Sequence, residues 1–263
     1  MADSGAEKQV SIVWKAVSEG GLPGIPQDFS AEPGEELLSG LFQRWEGTRA
    51  EAVRRRLKAA AREEFGGTTL EAPLTAWIGR GGLHRAHFLE WLAVSSGIQE
   101  KARTALEVGV ELVHAGSLLH DDIIDESPMR RGMPALWASH GTKAALLAGD
   151  LLIAAGIDGV GRAAEVGMSE GQAAWLAAKL ASAAHVTCRG ELAQDYPGEE
   201  AQMDSREVAA HKTGALFEWA MVAGSPEGTS DLEARMEFAR KVGVAYQMLD
   251  DERDGELAPQ AAQ

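Results

Sequence analysis

The chain is short of cysteine, of positive charge and of β-branched alternating runs, and each shortage removes a class of protein. A single cysteine, Cys188, excludes an internal disulfide and a cysteine-built metal cluster. It fits a reduced compartment, so a cytoplasmic location is expected. Lysine and arginine total 25 against 40 aspartates and glutamates, a formal charge of −15. A chain this acidic is poorly suited to nucleic acid or to an anionic membrane surface. The opening MADSGAEKQVSIVWKAV lacks an apolar run with basic flanks, so no signal peptide is expected. No transmembrane segment is expected either. The best stretch, AALLAGDLLIAAG (144–156), carries Asp150 at its centre. The scarcity of alternating runs argues against a sheet-based core.

What is present is helical period nearly everywhere. With 263 residues, 45% of them hydrophobic, the chain can bury a sizeable core. The first 35 residues contain GGLPGIPQDFSAEPG, whose glycines and prolines predict a partly flexible N-terminal arm (1–35). Residues 36–263 are expected to form one all-α domain. Helical patterns run over 36–65, 83–96, 101–125, 141–164, 169–195, 205–223 and 230–252, with GGTTLEAPLTAW (66–77) read as a break. The seven tryptophans are read as core or dimer contacts, and the arginine run 54–56 as a solvated helix face.

Two segments carry chemistry. In HDDIIDESPMRRG (120–132), Asp121 and Asp125 are four residues apart, so they share a helix face, with Asp122 beside them. Carboxylates crowded at the negative end of a helix dipole repel one another, and nothing local offsets this. Divalent cations would, and Mg²⁺ takes oxygen ligands from one or two carboxylates together with substrate phosphates. YQMLDDERDG (246–255) repeats the spacing with Asp250, Asp251 and Asp254 at the end of another amphipathic helix. One such motif is weak in an acidic chain. Two on separate helices predict opposed carboxylate walls that bridge through Mg²⁺ to an anion. Arg130 and Arg131 follow at once, and guanidinium groups match phosphate oxygens. Lys212 and Thr213 in HKTGALFEWA add a cation and a hydroxyl on an otherwise apolar helix.

On these residues the chain resembles the trans-isoprenyl diphosphate synthase (polyprenyl synthetase) family, over roughly residues 75–255. ELVHAGSLLHDDIIDESPMRRG, HGTKAALLAGDLL, RGELAQD, KTGALF and AYQMLDDERD occur in the family's order. The resemblance implies an isoprenoid-synthase-type helical bundle around a deep central cavity, usually a homodimer, with three Mg²⁺ ions on the allylic diphosphate. It implies Asp121, Asp122, Asp125, Asp250, Asp251 and Asp254 as metal-binding acids, with Asp121, Asp125, Asp250 and Lys212 central to catalysis. Arg130, Lys212, Thr213 and Gln247 would contact the allylic diphosphate, and His114 and Arg131 isopentenyl diphosphate. Gly116 and Ser117, just upstream of the first motif, would set product chain length. Glu191, Gln194 and Asp195 match a family segment and are read as packing or supporting residues.

Two departures stand out. Where the family carries GGKRxRP for isopentenyl diphosphate, this chain has GGLHRAH (81–87). Leu83 replaces the lysine and Ala86 the second arginine, leaving His84 and Arg85 as nearby substitutes. The chain also ends nine residues after Asp254, so the domain is expected to be C-terminally short. The leading expectation is a Mg²⁺-dependent prenyltransferase condensing an allylic diphosphate with isopentenyl diphosphate. Alternatives are a class I terpene cyclase-like enzyme acting on the allylic substrate alone, and a non-catalytic subunit of a prenyl synthase. A weaker one is a metal phosphohydrolase built on His84, His120, Asp121 and Asp150.

Overall fold

A computed structural model of the chain describes residues 25–196 and 203–257, with side chains as far as Asp250. Residues 1–24 of the expected N-terminal arm, and the side chains of Asp251 and Asp254, lie outside the described residues. The elements are α1 (Glu35–Leu41), α2 (Thr48–Phe65), α3 (Glu71–Ile78), α4 (His84–Ala93) and α5 (Glu100–Ile124). They continue with a two-stranded hairpin, β1 (Met129–Arg130) and β2 (Met133–Pro134), then α6 (Leu136–His140), α7 (Thr142–Gly161) and a 3₁₀ turn (Arg162–Val166). The rest are α8 (Glu170–Asp195), α9 (Ser205–Ala209), a π turn (Ala210–Gly214), α10 (Ala215–Gly224) and α11 (Leu232–Leu257). The all-α expectation holds.

α5 is the axis. Leu106, Val110 and Val113 join one core cluster with Phe88, Leu176, Leu180 and Phe217. Leu112, Ala115 and Leu119 join a second with Val53, Leu57, Leu74 and Leu152. A helix apolar around most of its girth is a buried helix, and besides the acids of its C-terminal turn it carries Glu107 and Glu111 buried along its length. α7 lies along α5 at backbone contact. Gly109 and Gly116 on α5 face Gly156 and Gly149 on α7, and a Cβ on Gly116 would sit 2.6 Å from the Gly149 carbonyl oxygen.

Three sequence expectations are corrected. GGTTLEAPLTAW does not merely break the helical pattern, because α3 starts within it. Pro73 falls in the first turn of α3, where the missing N–H has no intrahelical partner to lose. Arg54 is not on a solvated face. It is buried, and its Nη2 donates to the Trp45 carbonyl at 2.6 Å. The helical stretch Thr142–Val166, with mean hydropathy 1.6, is long and apolar enough by length and composition to cross a membrane, contrary to the expectation that none would be. Its inner stripe packs on α5, while Leu146, Leu147 and Leu151 face outward.

Candidate functional site

The first acidic motif ends α5, with Asp125 as its C-cap. The three acids differ in setting. The Asp122 side chain is only 2% exposed; its Oδ1 accepts from Arg130 Nε at 2.6 Å, and its Oδ2 is buried with no partner. The Asp121 carboxyl is pushed up to about 7, first by burial and then by the neighbouring Glu191, with Lys212 acting against the shift. A buried acid repelled by a second acid has a deficit of positive charge. Hard oxygen donors with that deficit fit a divalent cation such as Mg²⁺. Among the described residues, no three histidine, cysteine or acidic side chains already converge as a metal cluster. Mg²⁺ sites with one or two carboxylates usually complete their shell with waters and substrate phosphates.

The RRG segment folds as the β1–β2 hairpin. Its turn residues, Arg131 and Gly132, have φ of 53° and 72°, the left-handed pair of a tight hairpin turn. Arginine at positive φ is strained, and the turn sends the two guanidinium groups to different places. Arg130 reaches the acids of α5. Arg131 turns the other way, with its guanidinium carbon 5.1 Å from the Trp77 ring centroid. It also lies against Gly81, where a Cβ would come 2.6 Å from Arg131 Nη2.

Arg131 belongs to a second, cationic pole with Arg85, Glu111, His114 and Tyr246. Arg85 is 4% exposed, its Nε has no partner, and its guanidinium carbon is 5.3 Å from the Phe217 ring centroid. Burial weighs against its charge, offset by Glu111, Tyr246, Asp250 and Asp121 in that order. Arg85 thus feels acids on both α5 and α11 and stands between the two aspartate helices. Glu111 is itself pushed up by burial and accepts the Ala86 N–H at 3.0 Å. Desolvation, reinforced by Arg85 and Arg131, holds the His114 imidazole well below its ordinary range, so it is neutral.

The two nearby substitutes in GGLHRAH resolve differently. Leu83 and Ala86 are buried in the core beside α2. His84 does not supply a replacement cation. Burial lowers it to about 4, its Nδ1 pairs with the Leu41 carbonyl oxygen at 2.8 Å, and its ring lies 5.1 Å from that of Tyr246. Arg85 is the cation that remains.

Lys212 and Thr213 sit in the π turn, a widened helical turn that often marks functional sites. Lys212 Nζ lies 2.7 Å from Glu191 Oε2 and 3.0 Å from Gln194 Oε1 on α8. Thr213 Oγ1 donates to Gln247 Oε1 on α11 at 2.5 Å, so the expected pair meets. Asp250, three residues beyond Gln247, is exposed.

The chain-length expectation divides. Gly116 does not face the site; its Cβ direction points into α7, at the Gly149 carbonyl and Ile153. Ser117 lies three and four residues from His114 and Asp121, on their face of α5, and its hydroxyl donates to the His114 carbonyl at 2.9 Å. The phosphohydrolase constellation does not assemble. His120 Nε2 sits 3.4 Å from Asp150 Oδ1 at the α5–α7 contact, while His84 is held by α1. Sequence reasoning gave no site role to Trp77, Glu111 or Tyr246, and only a supporting one to Glu191. Glu111 and Tyr246 lie in segments that carry the family resemblance, but their interactions with Arg85, like those of Trp77 with Arg131 and Glu191 with Lys212, are made only by the fold.

The chain as a whole is similar to known proteins. A profile of the polyprenyl synthetase family matches residues 70–262. The chain belongs to the polyprenyl synthetase family. It is 31% identical to a geranylgeranyl diphosphate synthase of Rhodobacter capsulatus over 213 residues, covering 78% of this chain and 72% of that one. It is 32% identical to the farnesyl diphosphate synthase of Escherichia coli over 165 residues, covering 59% and 55%. The chain spans about half the length of several such relatives: 45% of a Methanocaldococcus jannaschii short chain isoprenyl diphosphate synthase, for instance, at 34% identity and 55% of this chain. The fold superposes on geranylgeranyl pyrophosphate synthase of Lactobacillus brevis with a TM-score of 0.68 and 26% identity, covering 82% of this chain and 66% of that one. The architecture is that of the isoprenoid synthases.

Proposed function

We propose that this chain is a Mg²⁺-dependent prenyltransferase that condenses an allylic prenyl diphosphate with isopentenyl diphosphate. The observation that carries the reading is the pairing of an acidic pole with a cationic one, both joined to a single arginine hairpin. An allylic diphosphate bound at the acidic pole would be held by Arg130 and Lys212, with the Thr213–Gln247 pair beside it. Asp121, Asp122, Asp125 and Asp250 would hold Mg²⁺, together with Asp251 and Asp254 by their match to the family motif. These carboxylates would hold the ion where it would neutralise charge on the departing diphosphate. The allylic C–O bond breaks, its electron pair leaves with the diphosphate, and fixed cations stabilise that charge as it develops. Arg85 and Arg131 would hold isopentenyl diphosphate, and neutral His114 would donate a hydrogen bond. The double bond of isopentenyl diphosphate attacks the allylic cation, and the proton lost from the condensed cation passes to the released diphosphate. Ser117 would line the path of the growing chain.

The outward leucines of α7 and the exposed Trp175 of α8 support a homodimer. Leu147 is 68% exposed and Trp175 45%, an apolar face of the kind protein partners cover. The cyclase-like alternative draws on one observation, the burial of Leu83 and Ala86, which removes two cations from the second site. Incubation with Mg²⁺ and geranyl diphosphate, with and without isopentenyl diphosphate, tests the proposal. Elongated product only when both are present supports condensation. Consumption of the allylic substrate without elongation supports the cyclase-like reading. No turnover in either case refutes both.

A further inference from the structure

We infer that Glu191 on α8 is an exchangeable counter-ion of the site: it holds the Lys212 ammonium in the resting protein and accepts a divalent cation when a diphosphate draws Lys212 away. This rests on the metal-dependent diphosphate reading above. The contact is built rather than incidental. Gly190 lets the π turn come against α8, since a Cβ there would sit 2.8 Å from the Lys212 backbone nitrogen. That approach puts Lys212 Nζ 2.7 Å from Glu191 Oε2. The Glu191 side chain is 13% exposed, and its other oxygen, Oε1, is buried with no partner. Glu191 is also the charged group that Asp121 feels most strongly. Across the site, Asp122 Oδ2 is a second buried carboxylate oxygen without a partner.

Two consequences follow from elementary electrostatics. An arriving diphosphate competes with Glu191 for Lys212, because one ammonium cannot neutralise both in full. Once Lys212 moves, Glu191 is a buried carboxylate without a cation beside the acids of α5, which is unfavourable unless another cation replaces it. A divalent ion with oxygen ligands, shared with Asp121, meets that need. Glu191 then has opposite effects on anion binding. Without metal it opposes the diphosphate by retaining Lys212; with metal it favours the diphosphate by recruiting the ion. A residue that merely packs has no reason to do both.

Glu191→Gln keeps the shape and removes the charge. Inorganic diphosphate binding is measured by calorimetry in chelator, and Mn²⁺ binding by electron paramagnetic resonance at fixed diphosphate. In chelator the variant is expected to bind diphosphate roughly tenfold more tightly, the scale of one charge-assisted competitor removed. With diphosphate present, its Mn²⁺ affinity is expected to fall about 10–100-fold, the range for losing a group that supports a metal. In Lys212→Gln, adding Glu191→Gln should no longer tighten binding in chelator. Equal shifts of one sign, or no shift in either assay, in a variant with wild-type circular dichroism and Tm, would overturn the exchange. Persistence of the chelator effect without Lys212 would overturn it as well. A wild-type protein whose diphosphate binding ignores the metal would instead overturn the functional reading beneath it.

Discussion

Arg85→Ala tests whether this chain has moved its second diphosphate anchor by one residue. Leu83 and Ala86 are buried and apolar, and His84 is neutral and tied to α1, so Arg85 is the cation left in that segment. Arg85 is 4% exposed, its guanidinium carbon lies 5.3 Å from the Phe217 ring centroid, and its Nε has no hydrogen-bond partner. A charge-assisted hydrogen bond contributes about 1.5–3 kcal/mol, and each 1.4 kcal/mol is about tenfold. Losing it should raise the KM for isopentenyl diphosphate roughly 10- to 150-fold. The KM for the allylic substrate and the Mg²⁺ requirement should not move, because those depend on the acidic pole. Arg85→Lys should recover part of the loss, since it keeps the charge but not the fork. In Arg85→Ala, Glu111 loses its largest counter-charge and keeps Arg131 and the Ala86 N–H. The KM is therefore read only in a variant with wild-type circular dichroism and Tm, and Arg85→Lys, which keeps the charge, is the control. The assay is steady-state condensation with one substrate saturating and the other varied. A folded Arg85→Ala protein with an unchanged KM for isopentenyl diphosphate would refute the argument. An equal loss for both substrates would place Arg85 in the shared scaffold instead.

Other predictions follow from the same geometry. Asp121→Asn and Asp250→Asn should each lower turnover by at least about a hundredfold, the scale of losing one stabiliser of developing charge, with helical content intact by circular dichroism. Excess chelator should abolish turnover of the wild type, and Mg²⁺ should restore it. Gly116→Ala should destabilise the protein by about 1–3 kcal/mol, the usual effect of overpacking, because its Cβ meets the Gly149 carbonyl; thermal unfolding reads this. Ser117→Phe should shorten the product by mass spectrometry at matched substrate ratios, whereas a Gly116 variant that folds should not. Leu147→Glu should shift the protein towards monomer in light scattering.

Much of the fold was legible because α2 and α5 carry a clear helical period and the other long helices are helix-favouring runs bounded by glycine or proline. The exceptions have local causes. α3 was hidden by Pro73, which looks like a breaker until its place in the first turn is known. The π turn was hidden because AHKTG reads as ordinary helix; the glycines it packs against, Gly190 and Gly243, lie on other helices. Arg54 looked solvated because composition does not reveal which of three adjacent arginines faces the Trp45 carbonyl. In the site, local spacing yields the acids of each motif. Arg85, Glu111 and Tyr246 come from three separate helices, and no spacing within one segment can announce that they meet. Gly116 misled for the opposite reason. Its neighbour Ser117 lies on the site face, and one residue of helix turns a side chain by about 100°, enough to swap the site for α7.

The hairpin explains why the acids and the two arginines sit so close in sequence. A helix end can gather carboxylates, but it cannot by itself offer cations to two anions in different places. A tight turn can. With Arg131 and Gly132 both at positive φ, consecutive arginines diverge, one to Asp122 and the other to Trp77 and the Arg85 pole. If the reaction needs two diphosphates held apart, this strain has a use, and it is testable. Inserting a glycine between Arg130 and Arg131 keeps both charges but loosens the turn. Such a variant should bind each diphosphate singly with little change and lose the condensation rate, since only the relative placement of the two substrates is disturbed. Wild-type condensation in that variant would mean that the two charges matter and the turn between them does not.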